Sequence, residues 1–127
     1  MNHHNTLQQA RQYLEDRLPD YVDLLRQMVG VNSFTANAAG VNALADLTAN
    51  TFAGLGFTAE QIQSTKAQFG RHLVLTRQGS SRHTIGLVTH LDTVFPAQEE
   101  QENNFYWREE GDRLYGPGSV EDRKSVV

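Results

Sequence analysis

The run Thr84–Leu91, TIGLVTHL, is the most apolar short stretch of the chain and sets the tightest limit on its fold. A continuous apolar run of this length suits a β-strand covered on both faces, with neighbouring strands along its edges and helices above and below. The sequence therefore predicts an α/β protein, a layered mixed β-sheet flanked by helices, with Thr84–Leu91 at its centre. Helices come first and strands follow one another without a helix between them, which argues against a strictly alternating parallel barrel.

The flanking segments fit that frame. Leu7, Ala10, Leu14, Leu18, Val22, Leu25 and Val29 recur at helical spacing, so residues Thr6 to Val29 read as helix. Pro19 lacks an N–H and clashes with the preceding turn, so it kinks this helix or begins a second one. VGVNSFTANAAG supplies loop residues, and Val41, Leu44, Thr48, Phe52 and Leu55 then mark the buried face of another helix. Gly54 and Gly56 close that helix in the left-handed conformation glycine accepts. Phe57 to Gln63 and His72 to Arg77 read as strands. Beyond Pro96 an acidic and aromatic segment, AQEEQENNFYWREEGDRLYG, reads as an exposed loop followed by a short strand pair. Its Glu99, Glu100, Glu102, Glu109, Glu110 and Asp112 fit a solvated surface better than a cation site, because neighbouring loop carboxylates diverge.

Length and composition narrow the function. At 127 residues there is room for one core, and a net charge of -4 gives no broad attraction to nucleic acid or anionic lipid. No run approaches the roughly 20 apolar residues that span a bilayer, and the polar start has no signal-peptide core, so a cytoplasmic protein is expected. With no cysteine, any metal must be held by histidine and carboxylate. His3 and His4 are read as part of an unstructured polar terminus, and His72 and His83 as solvated side chains beside turns.

Two motifs carry chemistry. His90 and Asp92 lie where the apolar run gives way to a loop, the edge at which open α/β sheets bind ligands. Residues two apart on a strand share a side, so the two can share a pocket. A neutral imidazole can bind zinc through one nitrogen while a carboxylate orients the other. Alone, such a pair is more often structural or incidental than a metal site. The second motif, DRLYGPGSVEDRK, runs from Asp112 to Lys124; Gly116, Pro117 and Gly118 force a tight path just before Glu121 and Asp122. Alone, it reads more readily as a surface turn.

Taken in order, HLDTVFP and YGPG resemble the motifs of the co-catalytic zinc hydrolases that include acetylornithine deacetylase, succinyl-diaminopimelate desuccinylase and glutamate carboxypeptidase. DLLRQMVGVNSFT and TFAGLGFTAE extend the resemblance over nearly the whole chain to Val120. It implies a zinc-exopeptidase-like catalytic domain, of which residues 1–127 form the N-terminal part. It also implies His90 as a zinc ligand, Asp92 as the catalytic acidic residue that orients the site, and Asp122 as the carboxylate bridging two metal ions, with Glu121 the alternative register. The tail, residues 121–127, departs from the family pattern: Ser125, Val126 and Val127 stand where paired glycines are expected after Lys124.

The resemblance implies a two-zinc amide hydrolase acting on a small peptide or an N-acyl amino acid, and it admits a homodimer for a full-length protein. The family's neighbouring glutamates, one of them the general base, and its last histidine have no counterpart here. The chain by itself is accordingly expected to hold at most one zinc ion, weakly, and to be inactive. The competing readings are a non-catalytic remnant and a stand-alone α/β binding module.

Overall fold

A computed structural model describes residues 3–119. The first helix, α1, spans His3–Asp16 and the second, α2, spans Leu18–Val29. Pro19 lies in the first turn of α2, where its missing N–H is no loss, so the periodic stripe is split as its chemistry requires. The stripe is not buried along α1 or at the start of α2: Leu7, Leu14 and Leu18 are all more than half exposed. His3 and His4 already belong to α1, which corrects the expectation of an unstructured start.

Helix α3, Ala38–Ala53, begins at Asn37, whose side-chain oxygen accepts a hydrogen bond from the Gly40 N–H at 3.2 Å. Its Val41, Leu44 and Ala45 are the buried apolar residues among those described. Phe52 is only half-buried and Leu55 is exposed, so the core-facing stripe ends earlier than its periodicity suggests. Gly54 closes α3 in a right-handed conformation with φ -61°, and the left-handed residue is Gly56 at +82°.

Strand β1, Thr58–Ile62, pairs antiparallel with β2, His72–Thr76, in a register that sets Glu60 opposite Val74. The alternate residues Leu73 and Leu75 are half-buried, on the hairpin that α3 packs against. Side chains fasten the two units. Asn42 accepts the Arg71 N–H at 2.8 Å, and Gln61 donates to Asp46 at 2.6 Å.

The expected central strand does not form among the described residues. Thr84–Leu91 pairs with no strand, and Ile85, Leu87 and Val88 are 88%, 92% and 91% exposed. A strand buried on both faces needs partners at its edges and apolar cover above and below, and no described element supplies either. The four strands among the described residues instead form two two-stranded antiparallel sheets. Past the apolar run, Pro96 leads into a short helix that the sequence reading had as loop, α4, Ala97–Glu102. Its Glu99 and Glu100 sit in the first turn, where carboxylates meet the positive end of the helix dipole. The expected strand pair follows as β3, Arg108–Glu110, and β4, Arg113–Tyr115.

This second hairpin is tied to α2. Glu109 accepts from Arg26 at 2.5 Å and from the Trp107 indole N–H at 2.9 Å, and the Arg26 guanidinium lies 5.6 Å from the Trp107 ring centre. The indole hydrogen bond first, and then Arg26, lower the Glu109 pKa below the usual carboxylate value. A carboxylate whose pKa is lower folded than unfolded stabilises the fold above its unfolded pKa, and that contribution is lost as pH falls through the folded value. Acidification should therefore shift the Trp107 indole resonance as Glu109 protonates, and Glu109→Gln should abolish that shift. An unchanged titration in the variant would mean that the indole reports on another group.

Candidate functional site

The chain segment that carries His90 and Asp92 is anchored by the loop joining α2 to α3. Phe34 and Thr93 form an isolated parallel bridge, with Thr93 N–H donating to Ser33 at 2.9 Å and Thr35 N–H donating to Thr93 at 3.0 Å. Asn32 extends the anchorage by donating to the Phe95 carbonyl at 3.1 Å. Asn37 donates in turn to the Asn32 carbonyl at 2.8 Å, so the α3 cap and the site share one network.

On this frame the His90 Nδ1 lies 2.8 Å from the Asp92 backbone oxygen and 3.4 Å from the Asp92 carboxylate Oδ1. A carbonyl oxygen only accepts, so in a neutral imidazole the proton sits on Nδ1 and the lone pair on Nε2. His90 is thus set in the tautomer that a metal ligand needs, with its ring about half exposed. The second carboxylate oxygen of Asp92 accepts a hydrogen bond from the Thr35 hydroxyl at 2.5 Å.

The two sequence motifs meet here. Pro117 and Gly118 join Thr89–Thr93 in lining an open cleft of about 250 Å³, floored by Leu25, Met28, Val29 and Leu44. Gly116–Ser119 is a tight turn closed by the Ser119 N–H on the Gly116 carbonyl at 3.2 Å. Pro117 takes its second position and Gly118, at φ +72°, its third, the pattern of a type II turn. A Cβ on Gly118 would come within 3.0 Å of the Thr93 methyl, and one on Gly116 within 2.6 Å of Val29. The glycines thus let this turn close against both α2 and the anchored segment. On its far side lies a larger cavity of about 530 Å³, walled by Phe95, Phe105, Tyr106, Tyr115 and Arg108.

Asp122, its alternative Glu121, and Lys124 lie outside the described residues. Among those described, no three histidine or acidic side chains converge as a metal cluster. The acidic residues of the 97–116 segment diverge, Glu109 toward Arg26 and Glu110 toward Arg108. His72 and His83 are exposed. Sequence reasoning missed Thr35, Asn32 and Asn37, which it took for ordinary loop residues. The signal was their type: hydroxyl and amide side chains crowded into VNSFTAN, each able to bond to backbone.

The chain is similar to carboxypeptidase G2 of Pseudomonas sp. (strain RS-16), with 29% identity over 108 residues, 85% of this chain and 26% of that protein. It is similar also to acetylornithine deacetylase of Proteus mirabilis (strain HI4320), with 32% identity over 110 residues, 83% of this chain and 28% of that protein. The chain therefore spans little more than a quarter of the length of these relatives. No protein-family model matches it. No helix among the described residues is long and apolar enough to cross a membrane.

Proposed function

We propose that this chain, which is similar to carboxypeptidase G2 and acetylornithine deacetylase, is the N-terminal part of a zinc-dependent amide hydrolase. The observation that carries this reading is the meeting of the His90–Asp92 segment and the Gly116–Gly118 turn in one cleft. The motifs lie far apart in sequence, and an incidental pair of loops would have no need to share a pocket.

The donor set fits one side of a zinc site. His90 lines the cleft, and Asp92 lies at its Nδ1, an arrangement that in a neutral imidazole leaves the lone pair on Nε2. Asp122, or Glu121 in the alternative register, is the proposed bridging carboxylate. When bound, zinc supplies Lewis acidity toward an amide carbonyl and lowers the pKa of water. The role of this chain's residues is to orient: Thr35 and Asp92 fix the imidazole, and the glycine turn keeps the cleft wall close to it. In the longer protein we place Thr84–Leu91 at the centre of a layered mixed sheet, where its apolar faces are covered. The substrate class is a small peptide or an N-acyl amino acid.

Calorimetric titration with zinc tests the metal assignment directly. The wild-type chain should bind one ion weakly, since the His90–Asp92 pair alone provides fewer ligands than a closed zinc site needs. His90→Ala should weaken that binding by at least about tenfold, as loss of a coordinating ligand exceeds loss of an outer partner. Equal affinity in the variant would remove His90 from the site and the reading with it.

A further inference from the structure

We infer that Thr35 is a positioning residue of this site, acting through the Asp92 carboxylate to set the tautomer of His90. The inference rests on the reading of His90 as a ligand for its meaning, but its geometry stands without a metal.

The Thr35 hydroxyl has two acceptors in reach, Asp92 Oδ2 at 2.5 Å and the Thr93 carbonyl at 3.2 Å. It has one proton to give. The carboxylate is closer and charged, and charge-assisted hydrogen bonds are about twice as strong as neutral ones, so the proton goes to Asp92. That bond occupies one carboxylate oxygen and leaves the other, Oδ1, facing His90 Nδ1 at 3.4 Å. The Nδ1 proton then lies between the Asp92 carbonyl and a negative oxygen, and both favour it there.

Thr35 can hold this position because its own backbone is fixed. Its N–H donates to Thr93, and its neighbour Phe34 forms the bridge to the same residue. Without the hydroxyl, a carboxylate that is one-third exposed turns toward water and leaves Nδ1 with the carbonyl alone. The Nδ1–H form then keeps one acceptor in place of two, so the Nε2–H form that unconstrained imidazoles prefer, in which Nε2 offers no lone pair, gains population.

The test uses the whole chain without metal and ¹⁵N-labelled histidine, at about pH 8.5, well above the ordinary histidine pKa. Long-range ¹⁵N–¹H spectra distinguish the two tautomers. The wild type should show His90 mainly as Nδ1–H, Thr35→Val should shift it toward Nε2–H, and Thr35→Ser should restore the wild-type pattern. A zinc titration of the same proteins should show roughly a tenfold loss for Thr35→Val and near-recovery for Thr35→Ser, the scale typical of outer partners of a metal ligand. A tautomer that does not change in Thr35→Val overturns the inference. A tautomer shift with no zinc binding in any protein upholds it and overturns the metal reading instead. Should Thr35→Val fail to fold, Thr35→Ala is read in the same spectra: a shift of His90 toward Nε2–H supports the inference, and an unchanged Nδ1–H form overturns it.

Discussion

Gly40→Ala is expected to destabilise the chain by about 3 kcal/mol, at the upper end of overpacking costs. A Cβ at this position would lie 1.9 Å from the Asn32 carbonyl oxygen and 2.7 Å from the Asn37 Nδ2. The first of these atoms is backbone and cannot swing aside. The second is the donor of the Asn37–Asn32 hydrogen bond, so relief of the clash breaks the link between the α3 cap and the site loop. The two effects act together: Gly40 lends its N–H to the cap and its missing side chain to the close approach. Urea unfolding should show a lower midpoint with an unchanged slope. A midpoint within error of wild type would mean that the loop has an alternative packing with room for a methyl group.

Leu44→Ala is the second large effect, expected at about 2–3 kcal/mol. Leu44 is 4% exposed and is the largest of the three buried apolar side chains among the described residues, beside Val41 and Ala45. Truncation in a closed core would leave a dry void and cost up to about 5 kcal/mol. Leu44, however, also forms part of the floor beneath Thr89–Thr93, in a cleft open to water. The space vacated joins that cleft, so the loss is mainly the transfer energy of the removed methyl groups. Thermal and urea unfolding of the variant measure it; a loss under about 1 kcal/mol would show that α3 and the hairpin repack around the smaller side chain.

Local features of this fold were readable in the sequence. Pro19 located the break between α1 and α2, and β1 and β2 formed within a residue of their predicted limits. Both follow from local chemistry: a missing N–H in one case, dense β-branched and aliphatic residues in the other. The run Thr84–Leu91 behaved otherwise, because the demand it expresses is for burial, and burial depends on what other elements provide. Helix α4 was hidden by its composition; AQEEQE is polar enough to pass for a loop, and its six residues offer too little periodicity to read.

At the site, His90 and Asp92 were legible as a pair, and the turn at Gly116–Gly118 as a turn. Their meeting in one cleft was not, since it depends on packing against Val29 and Thr93. Thr35 was the least visible of all. A threonine in a loop has many uses, and nothing near it in sequence points to a carboxylate 57 residues away.

That separation has an energetic consequence. Closing a flexible loop of this length costs roughly 3–4 kcal/mol of chain entropy before any constant term is added. Against it stand four hydrogen bonds between the loop and the site segment, from Thr93 to Ser33, Thr35 to Thr93, Thr35 to Asp92 and Asn32 to Phe95. At about 1 kcal/mol each, net, they little more than break even. The balance becomes favourable because α3, β1 and β2 are already packed between the two ends and leave much less chain to immobilise. The arrangement of His90 and Asp92 therefore belongs to the folded unit and not to the motif: a short peptide with the sequence THLDTVF has both side chains and no means of holding them in register.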